Sequence, residues 1–287
     1  AVFYPRNGGE PKIFMMGERS GDAVRLPMGV YDIIVFNRSF NDFSNIAFRG
    51  NSYETLEAYA RKVETRVDKK TRVETRTIIS SPDELAAATL EGFTVTEDML
   101  GNYSQTTYGR TAPSRSSEET PDGLYHLHFV PKKLTREVSA VLHIEGLNNI
   151  RSATCRLGGV AESIFLATGK TSANTVTQEF TPSNPEFSPG SPFNGTLSCE
   201  FEIFGLNVID NNNLHLDALL VDGKTEFEGD CTNVKITEND DGTGSVTLIL
   251  EASTEKVPDV KPEGGAGSGF DVDVDGWGNE INTDIPI

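Results

Sequence analysis

Apolar and polar residues alternate with a period of two through much of this chain, and that alternation predicts strands. After a turn at Pro27 and Gly29, Tyr31, Ile33 and Val35 alternate with Asp32, Ile34 and Phe36, which reads as a hairpin feeding a buried strand. Tyr125, Leu127 and Phe129 alternate with His126 and His128, and Val138, Ala140, Leu142 and Ile144 alternate with Ser139, Val141, His143 and Glu145. Leu197, Cys199, Phe201 and Ile203 share one face against Ser198, Glu200 and Glu202, the half-buried pattern of an antiparallel sheet. Leu214, Leu216, Ala218 and Leu220 repeat it ahead of Asp222-Gly223, a hairpin signal, and Asp241-Gly242 leads into Val246, Leu248 and Leu250.

Helical signal is confined to the first half. Leu56, Tyr59, Ala60 and Val63 fall at helical spacing, which predicts one short helix. A second is predicted where Ser81 would cap, Pro82 and Glu84 would open the first turn, Leu85 to Leu90 would follow and Gly92 would stop it. Many short strands without β-helix-β alternation argue for a mainly β protein of two β-sandwich domains carrying one or two short helices. The polar stretch from Gly109 to Gly123 sets the expected boundary, giving domains at 1–122 and 123–257. The low-complexity stretch Val257 to Gly269 then opens a linker and an acidic terminal strand over 258–287.

Charge narrows the function classes. The net charge of −18 repels phosphate backbones and anionic lipid, so nucleic acid is not an expected partner. Nine acidic residues and two lysines from Glu251 to Ile287 give the tail −7 of that charge. Seven basic residues between Arg61 and Arg76 (Arg61, Arg66, Lys69, Lys70, Arg72, Arg76 and Lys62) locally reverse the sign. They read as a solvated helix end and loop, or as a loop open to trypsin-like cleavage. No apolar run approaches the roughly 18–20 residues of a membrane span. The chain begins without Met in the extended Ala1-Val2-Phe3-Tyr4-Pro5, a start that a removed leader or a missing upstream strand would explain.

Candidate chemistry is sparse. Cys155, Cys199 and Cys231 lack CxxC spacing, so neither a zinc site nor a disulfide framework is written. Gly169-Lys170-Thr171 lacks the upstream glycine of a phosphate loop, His126 and His128 lack a third ligand, and no GxSxG is present. The expectation is a protein that is not an enzyme and carries no cofactor. Asp271, Asp273 and Asp275 with Gly276 fit the opening of a calcium loop, but Asn282 stands at its twelfth position. The preferred reading is a strand whose Val272 and Val274, with Trp277, anchor one side.

Together, LPMGVYDIIVFN (26–37), IAFRGNSYETLEAYAR (46–61), SPDELAAATLEGFTV (81–95), FVPKKLTREVSAVLHIEGL (129–147) and GFDVDVDGW (269–277) resemble the fimbrillin-like (Mfa-like) surface lipoproteins of Gram-negative anaerobes, in a branch of unassigned function. The resemblance implies two transthyretin-like Greek-key sandwiches, export to the outer membrane or cell surface, and a lipid anchor on an N-terminal Cys that this chain lacks. It also implies adhesion or pilus (fimbria) subunits that assemble by β-strand donation with like or related subunits. The candidate donor is the tail over 270–287, with Phe270, Val272, Val274, Trp277 and Ile281 as docking side chains. The alternative is a monomeric surface lipoprotein binding a glycan or host protein.

Overall fold

The computed structural model describes residues 1–17, 22–67, 75–100, 117–119, 125–207, 212–240 and 246–262. Sheet I orders its strands Lys132–Lys133, Ala86–Val95, Gly29–Phe36, Val2–Pro5 and Lys12–Ile13. The small sheet II holds Ser163–Phe165, Glu57–Ala60 and Ile46–Arg49. Sheet III runs Asn184–Phe187, Asn194–Ile203, Arg136–Glu145, Val246–Ser253 and Thr232–Asp240. Sheet IV runs Glu226–Asp230, Leu214–Leu220, Ile150–Ala161, Thr175–Phe180, Thr75–Ile79 and Lys62–Val67. Tyr125–Leu127 pairs with Ser117–Glu119 as a separate ribbon. The pairings are antiparallel except where Val246–Ser253 runs beside Arg136–Glu145 and Thr75–Ile79 beside Thr175–Phe180.

Side-chain alternation assigns the faces. Val138, Ala140, Leu142 and Ile144 from sheet III and Leu214, Leu216, Ala218 and Leu220 from sheet IV point inward into one core. Each such aliphatic side chain contributes roughly 1.5–3 kcal/mol on full burial. The same core takes Val2, Tyr4 and Ile34 from sheet I and Ile46, Ala58 and Ala60 from sheet II. Sheet I is covered on its other face too, where Phe3, Tyr31, Ile33 and Val95 form a second cluster beneath Phe14, Val24, Leu26 and Phe129. That two-sided cover explains why neighbouring Ile33 and Ile34 are both fully buried.

Among the described residues, strands from the two sides of residue 122 pair in the ribbon of Ser117–Glu119 with Tyr125–Leu127 and in three further places. Glu57–Ala60 meets Ser163–Phe165, Thr75–Ile79 meets Thr175–Phe180, and Ala86–Val95 meets Lys132–Lys133. A division at 122 is a proposal that places these pairings between its two units.

Both predicted helices are corrected to strands. Leu56 to Val63 folds into Glu57–Ala60 and the start of Lys62–Val67. Ala86–Val95 is a ten-residue strand in which Gly92, at φ +69°, sits at a register shift rather than at a helix stop. Among the described residues, the helical turns are 3-10 turns at Phe40–Asp42, Glu97–Leu100 and Leu147–Asn149. Ser81 caps no helix. Its hydroxyl accepts from Glu202 N at 2.9 Å and donates to Glu202 O at 3.1 Å, closing part of a sheet III edge. Among the described residues, no helix is long and apolar enough to cross a membrane.

Candidate assembly surface

After the last strand of sheet III the chain stays docked on the body as a root. After Val246–Ser253, Thr254 N donates to His143 O at 3.1 Å and Val257 N to Glu145 O at 2.9 Å, so the backbone continues alongside Arg136–Glu145. Val257 is fully buried and Val260 packs against the main core. Gly146 makes room for this contact. It sits at φ +86°, and a Cβ there would lie 2.8 Å from Val257 O. Asn149, buried at 3%, donates to Asp259 Oδ1 at 3.0 Å. Sequence composition placed the linker from residue 258, whereas Asp259 and Val260 belong to the docked root.

Among the described residues, two edges without a further strand flank the sheet that carries this root. Asn184–Phe187 is exposed at all four positions. Asn184 and Glu186 face Ser198 and Thr196, and Ser188 N bonds Asn194 O at 2.9 Å, which sets Pro185 and Phe187 as the outward-facing positions of the ladder. Pro185 therefore points no N–H at a newcomer, a common way of blunting an edge. At its tip, Phe187 and Phe193 are 47% and 59% exposed on either side of a turn through Gly190, and Gly146 N bonds Asn194 Oδ1 beside them at 3.1 Å. The opposite edge, Thr232–Asp240, is nine residues long and carries no proline. Among the described residues it pairs only with Val246–Ser253, through a register shift near Asn233 at φ +53°. Val234 and Ile236 lean on the core, while Lys235, Thr237 and Glu238 face solvent.

An ion pair locks each of sheets II and I. Glu57 is 7% exposed and holds Arg49 in a bidentate pair at 2.6 and 2.9 Å, while Ser163 donates its hydroxyl to the same carboxylate. The Arg49 guanidinium lowers the pKa of Glu57 against the opposing cost of burial, and Ser163 adds to the lowering. Asp32 accepts from Arg6 Nε and Nη2 and, at 2.8 Å, from Gly92 N. Burial pushes its pKa up, but the Arg6 and Gly92 hydrogen bonds outweigh that and leave it below the usual value. Both clusters are explained by packing of the fold. The three cysteines are free thiols, Cys155 fully buried and the others half-buried.

The sequence-predicted site residues are only partly in view. Arg61 donates to Ile46 O at 3.2 Å, and Arg66 and Arg76 lie opposite each other in a strand hairpin rather than at a helix end. Lys69, Lys70 and Arg72 lie outside the described residues, as do Phe270, Val272, Val274, Trp277, Ile281 and Asp271, Asp273 and Asp275. What the sequence reading missed is the root at Thr254–Val260, whose signal is the pair of valines Val257 and Val260 inside an otherwise polar run.

Comparison with known proteins bears on this surface. A family model described as "Domain of unknown function (DUF5119)" matches residues 1–181. The "Putative fimbrium anchoring subunit Fim4B" of Bacteroides ovatus is 25% identical across 100% of this chain and 84% of its own length. A crystal structure of a "putative adhesin" from Bacteroides ovatus superposes with a TM-score of 0.51 at 17% identity, covering 80% of this chain and 74% of that one. The fold is thus one that solved proteins share. The fimbrial anchor protein Mfa2 from Porphyromonas gingivalis aligns over 86% of this chain and 84% of its own, at 11% identity and a TM-score of 0.37.

Proposed function

The chain belongs to the DUF5119 family, and from that premise we propose that it is a non-enzymatic subunit of a surface fimbrium, of the anchoring or adhesive kind. The observation that carries this reading is the alignment of the whole chain with a protein named as a fimbrium anchoring subunit. Export to the cell surface follows from the same reading, with like or related subunits as partners.

Assembly is by strand donation. The donor is the tail beyond Pro262, with Phe270, Val272, Val274, Trp277 and Ile281 as alternate docking side chains. The acceptor is an open edge of a neighbouring subunit. Thr232–Asp240 suits that role better than Asn184–Phe187, because it is longer and keeps every backbone N–H. The root supports this reading mechanically, because it fixes the chain on the body as far as Val260. A second reading is favoured by Phe187 and Phe193, whose exposed rings at one end of sheet III suit a monomeric protein that docks on a glycan or host protein.

Size-exclusion light scattering tests the choice, comparing the full chain with one ending at Pro262 over a range of concentrations. The cut belongs at Pro262 because ending at Val257 would strip the docked Asp259 and Val260. Concentration-dependent oligomers lost on truncation support donation by the tail. Monomers in both cases refute it and leave the aromatic tip as the binding surface.

A further inference from the structure

The outer face of sheet IV carries a polar cluster that the proposed assembly does not use. Leu214, Leu216, Ala218 and Leu220 point inward, so His215 and Asp217 point out. On the adjoining strand Asp230 stands directly opposite His215 and Glu228 directly opposite Asp217. The hairpin that joins them is closed tightly. Gly223 turns at φ +69°, and the Asp222 carboxylate accepts from Lys224 N at 3.0 Å and Thr225 N at 2.9 Å. Four polar side chains are thereby held as a square on a rigid ladder.

Their spacing leaves room for a shared cation. Donor atoms of His215, Asp217 and Glu228 lie within 4.8 Å of one another. The His215 ring is bracketed, with Nδ1 at 2.9 Å from Asp230 Oδ1 and Nε2 at 3.2 Å from Asp217 Oδ1. A neutral imidazole has a single N–H and satisfies only one of these carboxylates. Donating Nδ1–H to Asp230 turns the Nε2 lone pair toward a carboxylate oxygen, a repulsive pairing unless a cation lies between them. A metal ion is such a cation. Asp217, Glu228, Asp230 and Glu179 supply four negative charges, and Arg156, which pairs with Asp217 and Glu179, supplies one positive charge. Three uncompensated charges favour a divalent ion at this place.

We propose that His215, Asp217 and Glu228 form a binding site for a divalent transition-metal ion of the zinc or manganese class. His215 Nε2 and one oxygen each from Asp217 and Glu228 are the ligands. Asp230 is a positioning residue that fixes the imidazole tautomer from outside, as carboxylates behind metal-bound histidines generally do. One nitrogen with carboxylates suits these ions, whereas calcium takes six to eight oxygens. Arg156 engages Asp217 Oδ2 and leaves Oδ1 facing the ring. The ion ties Glu226–Asp230, an edge strand, to its neighbour and leaves coordination positions open to solvent.

Isothermal titration of the full chain with zinc chloride at neutral pH tests the site against His215→Asn, Glu228→Gln and Asp230→Asn. Wild type is expected to take up one equivalent more than His215→Asn. Glu228→Gln, an exposed change that leaves the fold intact, weakens that equivalent at least tenfold, and Asp230→Asn weakens it roughly 10–100-fold with unchanged stoichiometry. Superimposable isotherms for wild type and Glu228→Gln overturn the proposal, because binding then resides in the cysteines, the other histidines or the acidic tail. No saturable equivalent in wild type overturns it equally.

Discussion

Gly146→Ala perturbs the root of the C-terminal segment at a single atom. Holding Ala in the left-handed conformation costs about 1–2 kcal/mol, a penalty spread over the whole folded state. The added methyl also meets Val257 O at 2.8 Å and Val257 Cβ at 3.3 Å. Gly146 is held in place by its bond to Asn194 and by accepting from Asn149 N at 3.0 Å, so Val257 is the group that moves. Moving it forfeits the burial of one valine, about 1.5–3 kcal/mol, and one backbone hydrogen bond, about 1 kcal/mol net. Relief of the clash is therefore local and worth about 2.5–4 kcal/mol before the chain entropy regained by 254–262 is subtracted. Hydrogen exchange read by mass spectrometry separates the two effects. Peptides covering 254–262 should lose protection on the order of 10–100-fold beyond the loss that core strands such as Leu214–Leu220 show from the global penalty. Val257→Ala should loosen the same peptide without the global change. If Gly146→Ala leaves 254–262 as protected as wild type while the core weakens, the 3-10 turn gives way instead and the account of the root is wrong.

Other consequences are simpler to state. Glu57→Gln removes the charge that holds Arg49 and Ser163; Arg49 is 44% exposed, so the expected loss is about 1–2 kcal/mol by urea denaturation, and an unchanged midpoint would refute it. Asp32 and Glu57 have lowered folded pKa values, so their contribution is complete above the unfolded values of about 3.9 and 4.3 and disappears as pH falls through the folded ones. Stability should thus drop below about pH 4, with a shallower slope in Asp32→Asn; parallel slopes would count against the pairing. Burial raises the Cys199 and Cys231 thiols to about 11 and raises Cys155 well above the usual thiol value, so all three should resist iodoacetamide at pH 8 until urea is added. Rapid labelling of native protein would contradict the burial.

Strands with clean alternation were legible because their period reports directly which face meets the core. Val138 to Ile144 and Leu214 to Leu220 fold as read. The two misread helices share a cause. At Glu57 a charged residue occupies a buried strand position, sustained by Arg49 and Ser163 from neighbouring strands, and this hides the alternation around Ala58 and Ala60. At Ala86, Ala87 and Ala88 helix propensity is high, yet pairing with Gly29–Phe36 decides the outcome, as tertiary context often does. Ser81 and Asp83 have the composition of a helix cap but serve other strands, Asp83 accepting from Asn45 N at 2.7 Å. The HxD and ExD pairs at 215–217 and 228–230 were legible only once the Asp222-Gly223 hairpin set them opposite each other, since neither pair alone is a metal motif.

The parallel run of Val246–Ser253 beside Arg136–Glu145 also governs how the molecule responds to pulling. Tension entering through the tail passes first into the Val257 root and then along the axis of Val246–Ser253, which is hydrogen-bonded on both flanks. Such a pull strains those two ladders in shear, many bonds at once, instead of opening them one rung at a time. The rate at which this strand slides, rather than the equilibrium stability of the fold, then sets how long a subunit holds under tension.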